Sequence, residues 1–152
     1  MVYNSDQSGQ TTLWKVLFEG GNPVQITSNV SYYPEVSPDG SYIACRLQDG
    51  NAAAQGSAVV LSFADGAVLR RFKDIPEVSL IKWGPGAADL TFAKTIDGVS
   101  NLFVQPLSGG PPTRITNFNT EQIFAFDWSH SSSQVAILRG IESRDVVVFK
   151  TQ

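Results

Sequence analysis

Few residues in this chain have the types and spacing to do chemistry. There is one histidine, His130, and one cysteine, Cys45, in 152 residues. A hydrolytic triad needs a histidine beside a nucleophile, and no Gly-x-Ser-x-Gly elbow presents a serine for that role. One Cys and one His also exclude an internal disulfide and any zinc site built on Cys and His pairs. Asp49-Gly50-Asn51 and Asp97-Gly98 carry calcium-type oxygens. Neither continues into the spacing of an EF-hand loop, and both read as hairpin turns. Gly84-Pro85-Gly86 imitates a phosphate loop but fails as one. Asp89 holds the place of the third glycine, Pro85 has no N–H to offer, and a strand follows where the motif needs a helix. Asn29-Val30-Ser31 fits a glycosylation acceptor, a pattern too common to use. The expectation is a chain with no catalytic residue, no metal and no cofactor.

Composition narrows the class further. The chain is 42% apolar and 11% aromatic, enough for a core, while only 16% of residues are charged. A length of 152 residues suits a single domain. The net charge of −3 and the lack of a basic run remove the electrostatic footprint of a nucleic-acid binder. No uncharged apolar stretch approaches the roughly 18 residues of a membrane span, so no membrane insertion by this chain is expected. Met1 leads straight into Val2-Tyr3-Asn4 without a signal-peptide pattern, and the compartment stays open.

The elements that must position these residues emerge from an internal repeat. Three turn-like clusters, Ser37-Pro38-Asp39-Gly40, Gly84-Pro85-Gly86-Ala87 and Ser129-His130-Ser131-Ser132, begin 47 and then 45 positions apart. Each follows an apolar residue (Val36, Trp83, Trp128) and precedes an apolar run: Ile43-Ala44-Cys45, Leu90-Thr91-Phe92 and Val135-Ala136-Ile137. A second set, Leu13-Trp14, Val59-Val60, Leu102-Phe103 and Val147-Val148, recurs at offsets of 46, 43 and 45. Ile26-Thr27 and Ile115-Thr116 repeat at 89, which is two periods. In this register His130 falls on the place of Pro38 and reads as an exposed turn residue rather than a surface general base. Cys45 falls with Phe92 and Ile137 and reads as a buried small hydrophobe.

Short Val-, Ile-, Phe-, Trp- and Tyr-rich runs between Gly, Pro, Asn, Asp and Ser clusters are strands, and no window shows helical periodicity; Ala52-Ala53-Ala54 is too short. Four strands per period of about 40–45 residues is the signature of a β-propeller blade. The predicted fold is all-β: a partial β-propeller of about four consecutive antiparallel blades, roughly 14 strands. A single domain, 1–152, divides into an incomplete first blade (1–28), a second (29–74), a third (75–117) and an incomplete last blade (118–152). The period-2 rule places Phe124, Phe126 and Trp128 on one face, and Trp83 and Trp128 are expected between blades.

Pro34-Glu35-Val36-Ser37-Pro38-Asp39-Gly40 with Tyr42-Ile43-Ala44 resembles the Pro-Asp-Gly repeat of TolB-like propellers, a WD-repeat-like group. Tyr3-Asn4-Ser5-Asp6-Gln7-Ser8-Gly9, Leu13-Trp14-Lys15-Val16, Gly20-Gly21 and Gln25-Ile26-Thr27 match the rest of that repeat. The resemblance covers essentially the whole chain; in later copies Gly86 stands in the Asp place and His130 in the Pro place. The ending, from Phe126-Asp127-Trp128-Ser129 to Asp145-Val146-Val147-Val148, also resembles the carboxyl-terminal part of propellers attached to bacterial sensor kinases and regulators. Such propellers close rings of six to eight blades. The resemblance therefore implies a portion of a larger propeller, or a short product that associates.

In this register Glu35, Lys82 and Asp127 occupy one place in three successive copies, on the strand nearest a propeller's channel. They could line a site for a small molecule or an ion, or neutralise one another. Tyr32, Tyr33 and Phe118 lie in equivalent connections between blades, where exposed aromatics anchor protein partners or pack at a rim. The expected function is a non-enzymatic propeller module acting as a protein-interaction or sensing platform. The alternative is the gating propeller of a prolyl-oligopeptidase-like serine hydrolase whose catalytic domain is absent here. Two terminal blades with one unmatched face each predict self-association, as a ring-closing homodimer or larger assembly, unless the remainder of a larger propeller covers them.

Overall fold

The structure, a computed structural model, describes residues 1–48, 50, 56–77, 79–129, 134–143 and 148. His130, Asp49, Asn51, Ala52-Ala53-Ala54 and most of the expected last strand at 145–149 lie outside the described residues. Thirteen strands, and no helix, are found among those described. They fall into four antiparallel sheets. The first holds β1 (Val2–Ser5), β2 (Thr12–Lys15) and β3 (Val24–Gln25). The second runs β4 (Ser31–Val36), β5 (Tyr42–Leu47), β6 (Ser57–Ser62) and β7 (Val68–Phe72). The third repeats it with β8 (Ile81–Trp83), β9 (Asp89–Ile96), β10 (Val99–Pro106) and β11 (Thr113–Arg114). The fourth shows β12 (Gln122–Trp128) paired with β13 (Val135–Gly140). Each sheet meanders in chain order, as a blade does, so the all-β reading of a partial propeller holds.

Alternation along each strand makes the sheets two-faced. On the second sheet, Ile43, Cys45, Leu47, Val59 and Leu61 pack toward the first sheet around Leu13, with Val2 and Ile26 against them. The intervening Ala44, Ala58, Val60 and Phe72 pack the other way, around Ile81, Trp83, Leu90 and Phe92 of the third sheet. Burial on both faces explains the continuous apolar runs of β5 and β6. Cys45 is 1% exposed, and burial pushes its thiol up to about 12, which keeps it protonated and inert.

Strand pairing corrects the sequence register at one point. Ala44 pairs with Val60, and its repeat equivalent Thr91 pairs with Val104. Ala58-Val59, not Val59-Val60, therefore matches Leu102-Phe103. Leu13-Trp14 belongs to the same place, because Thr27 Oγ1 accepts from Leu13 N–H and Thr116 Oγ1 from Leu102 N–H, both at 2.9 Å. A one-residue slip exchanges the faces of a strand, so this correction decides which residues meet which sheet.

Two bulges produce further departures. A register shift between Ile123 and Ala125 takes Phe124 out of line with Phe126, so Phe126 is buried and Phe124 is 44% exposed. Trp83 lies buried between sheets as expected, whereas Trp128 is only half-buried, its indole N–H donating to Thr91 Oγ1 at 2.9 Å. The other shift, between Tyr32 and Glu35, places Tyr33 at φ 55 within β4. Tyr32 and Tyr33 thus belong to a bulged strand rather than to a connecting loop.

Candidate functional site

Each sheet from the second onward begins with a strand that meets the first strand of a neighbouring sheet, and β8 lies against both β4 and β12. Their equivalent residues Glu35, Lys82 and Asp127 pair with Ala44, Thr91 and Ala136 on the strand behind. The structure brings all three together. Lys82 Nζ donates to Glu35 Oε1 at 2.5 Å and stands 3.8 Å from Asp127 Oδ2. Trp83, next to Lys82, donates its indole N–H to the Glu35 carbonyl at 2.8 Å and fixes the two strands in register. Burial works against the Lys82 ammonium, but the Glu35 hydrogen bond and the charges of Glu35 and Asp127 outweigh it and hold its pKa above the usual lysine value. One cation stands between two carboxylates and leaves a single net negative charge, with the lysine protonated at neutral pH and no use as a base.

These residues form part of the floor of a groove of about 1170 Å³ that crosses the second, third and fourth sheets. Its walls are largely apolar, with Tyr32, Leu80, Ile81, Phe126 and Ile137 among them. Tyr33 is 73% exposed at its edge, and the Tyr32 and Tyr33 rings lie 6.1 Å apart. Phe118 is not part of this wall. Its ring lies 3.5 Å beneath the Arg139 guanidinium, and its backbone is held by Asn101, which accepts from Phe118 N–H at 2.7 Å. Of the three aromatics singled out together, two meet at the groove and the third braces the connection into β12.

Sequence reasoning missed Arg46. It is 2% exposed and lies below the groove. Its Nη2 donates to the carbonyls of Pro76 (2.5 Å) and Ser79 (2.8 Å), which ties the connection into β8 onto β5. Burial pulls its pKa down, opposed by the charge of Glu77. Its signal was present in the repeat: Arg46 holds a place taken by Ala93 and Leu138 in later copies, and a charge in a buried register always has a task. Among the described residues, no group of three or more His, Cys, Asp or Glu side chains could hold a metal.

No protein-family model matches the chain. The chain is similar to the curated Protein TolB homolog of Chlorobaculum tepidum, 27% identical over 118 residues. The match covers 76% of this chain and 26% of that protein, so the chain spans about a quarter of the length of its relative. Among solved structures, it superposes on a putative TolB from Agrobacterium tumefaciens with a TM-score of 0.71 at 17% identity, covering 91% of this chain and 50% of the other. For TolB from Acinetobacter baumannii the TM-score is 0.70 at 16% identity, over 90% of this chain and 34% of that one. A prolyl endopeptidase superposes with a TM-score of 0.58 at 19% identity, over 86% and 23% of the two chains. At these identities the structural likeness speaks to fold alone.

Proposed function

From the TolB-like propeller fold, present here as an arc of four sheets, we propose that this chain is a non-enzymatic propeller module that binds a protein partner in the groove over β4, β8 and β12. The observation that carries this reading is the chemistry of the groove itself: apolar and aromatic walls around charges that already satisfy one another. Lys82 is spent on Glu35 and Asp127, and a general acid or base needs a titrating group free to exchange its proton. Apolar walls with exposed Tyr33 at the edge suit a side chain inserted from a protein surface. The likeness to a prolyl endopeptidase supports the same propeller architecture and adds no observation in favour of a gating role.

The test is selection of phage-displayed peptides on the intact chain. Selected peptides should compete with one another and lose at least tenfold in affinity to a Tyr32→Ala, Leu80→Asp double variant. Peptides that bind this variant unchanged would place the contact elsewhere. Cleavage of a peptide or nitrophenyl ester by the purified chain would return it to the enzymes.

A further inference from the structure

The part of the groove built by the second and third sheets holds a charge that the Glu35, Lys82 and Asp127 cluster does not explain. Both sheets are flanked by further sheets of the same chain. Tyr32 pairs with Arg46, and Arg46 with Ala58, so the three share the side of the second sheet that faces the third. Arg46 is 2% exposed, and its Nη2 is committed twice, to the carbonyls of Pro76 and Ser79. The Ser79 hydroxyl in turn donates to the Ala93 carbonyl of β9 at 2.5 Å, so both sheets hold the connection that orients the guanidinium.

The other amino group, Nη1, is buried too, and it has no hydrogen-bond partner among the described residues. A buried N–H without an acceptor carries an uncompensated desolvation cost, which a ligand that supplies the acceptor removes. Arg46 lines the groove beside Tyr32, Glu77 and Leu80. Glu77 is exposed, and its charge reaches Arg46 without giving Nη1 an acceptor. The missing acceptor must therefore come from the groove.

A carboxylate suits one guanidinium arm. A phosphate dianion suits it less, because Glu77 and the net negative cluster around Lys82 repel its second charge. Among carboxylate side chains, glutamate has the longer stem, with two methylenes to lie along Tyr32 and the 44% exposed Leu80 before its head meets Arg46. Resting on the reading of the groove as a protein-binding site, we propose that the partner inserts a glutamate here and that its carboxylate accepts from Arg46 Nη1. Nη1 is covered in the unbound chain, and the exposed Glu77 and Leu80 side chains are the ones that turn aside to admit the carboxylate. Arg46 then has two tasks: Nη2 holds the connection into β8, and Nη1 receives the partner.

The probes are two N-acetylated, C-amidated tripeptides, Tyr-Glu-Leu and Tyr-Gln-Leu, titrated into the full chain and followed by NMR. The glutamate peptide should bind roughly tenfold more tightly and shift the Arg46 side-chain N–H resonances, which the glutamine peptide should leave in place. Glu77→Gln, an exposed change that removes the competing charge, should widen the preference about twofold. Arg46→Met should abolish the preference; if that variant does not fold, Glu77→Gln carries the decision alone. Equal binding of the two peptides, with shifts at Tyr32 and Leu80, would overturn the glutamate anchor and leave the groove reading standing. Binding of neither peptide, a preference unchanged in Glu77→Gln, or one that survives in folded Arg46→Met would overturn it as well. The groove reading itself falls only where selected peptides bind the Tyr32→Ala, Leu80→Asp variant unchanged.

Discussion

Two turns hold the same place in successive sheets, Ser37–Gly40 and Gly84–Ala87, and they reach one backbone shape by different side chains. In the first, Gly40 N–H donates to Ser37 O at 2.9 Å and Ser37 N–H to Tyr42 O at 2.9 Å. In the second, Ala87 N–H donates to Gly84 O at 3.2 Å and Gly84 N–H to Asp89 O at 3.1 Å. The first is supported from within: Ser37 Oγ accepts from Tyr42 N–H and donates to Asp39, which also accepts from Ser41 N–H. The second has no serine and no aspartate in those places. Instead the Asp89 carboxylate fills the space that a side chain at Gly84 would take. Strand pairing therefore dictates the hairpin, and the supporting side chains are interchangeable so long as the same volume is filled.

The two turns are also joined. Tyr42, which follows the first, stacks on Trp83, which precedes the second, with ring centroids 6.1 Å apart and planes at 24°. Trp83→Ala should break this comparison hardest. It empties a buried site, frees the Glu35 carbonyl and removes the stacking partner, for about 3–5 kcal/mol. Trp128→Ala, at the equivalent but half-buried place, should cost roughly 2 kcal/mol through lost area and the bond to Thr91. Denaturant unfolding of both variants checks the ordering. Equal losses would show that the fourth sheet packs on the third as firmly as the third packs on the second.

That difference marks what could be read in the sequence. Strand order, the turn places and the burial of Cys45 and Trp83 follow from alternation and period, which are local properties of the chain. The meeting of Glu35, Lys82 and Asp127 was legible too, because equivalent places in a repeat stand side by side. The slip at Ala58-Val59 was not: Val59-Val60 is the more apolar pair, and only the partner strand decides which member faces which sheet. The bulges at Tyr32/Glu35 and Ile123/Ala125 were hidden for the same reason. An extra residue on one strand has meaning only against its neighbour, and it moved Tyr33 and Phe124 off the faces that alternation assigns. Arg46 was passed over because its partners, the Pro76 and Ser79 carbonyls, are backbone groups that leave no mark in a composition.

Exchanging residues at the last place of each turn sharpens the comparison. Gly40 has φ 74 and Ala87 φ 53, both left-handed, a region that costs an L-residue with a Cβ about 1–2 kcal/mol. Only the first turn has the glycine suited to it. Gly40→Ala should therefore lower stability by about 1 kcal/mol, and Ala87→Gly should raise it by somewhat less, since glycine also gains freedom in the unfolded chain. Thermal melts of the two variants should move in opposite directions. A loss of stability in Ala87→Gly would mean that its methyl contributes more through packing than its backbone strain takes away; Ala87 does lie against the core around Trp83.

Acid titration reaches the smallest difference, and it predicts opposite signs for the two turns. The hydrogen bond from Ser37, then that from Ser41 N–H, holds the Asp39 carboxyl below its ordinary value of 3.8. Burial pushes the Asp89 carboxyl above that same value. Where the folded pKa is depressed, the unfolded chain binds more protons, so stability present above 3.8 is lost as pH falls through the folded value. Where it is raised, the folded chain binds more protons, so stability declines as pH climbs from 3.8 through the folded value. Asp39→Asn should thus flatten the stability profile on the acid side of 3.8, and Asp89→Asn should flatten it on the alkaline side. Carboxyl carbon resonances followed by NMR give the direct reading, with the Asp39 midpoint below 3.8 and the Asp89 midpoint above it. Midpoints on the same side would mean that the carboxylate beside Gly84 is solvated like the one in the first turn, and the two turns would then differ in residue names alone.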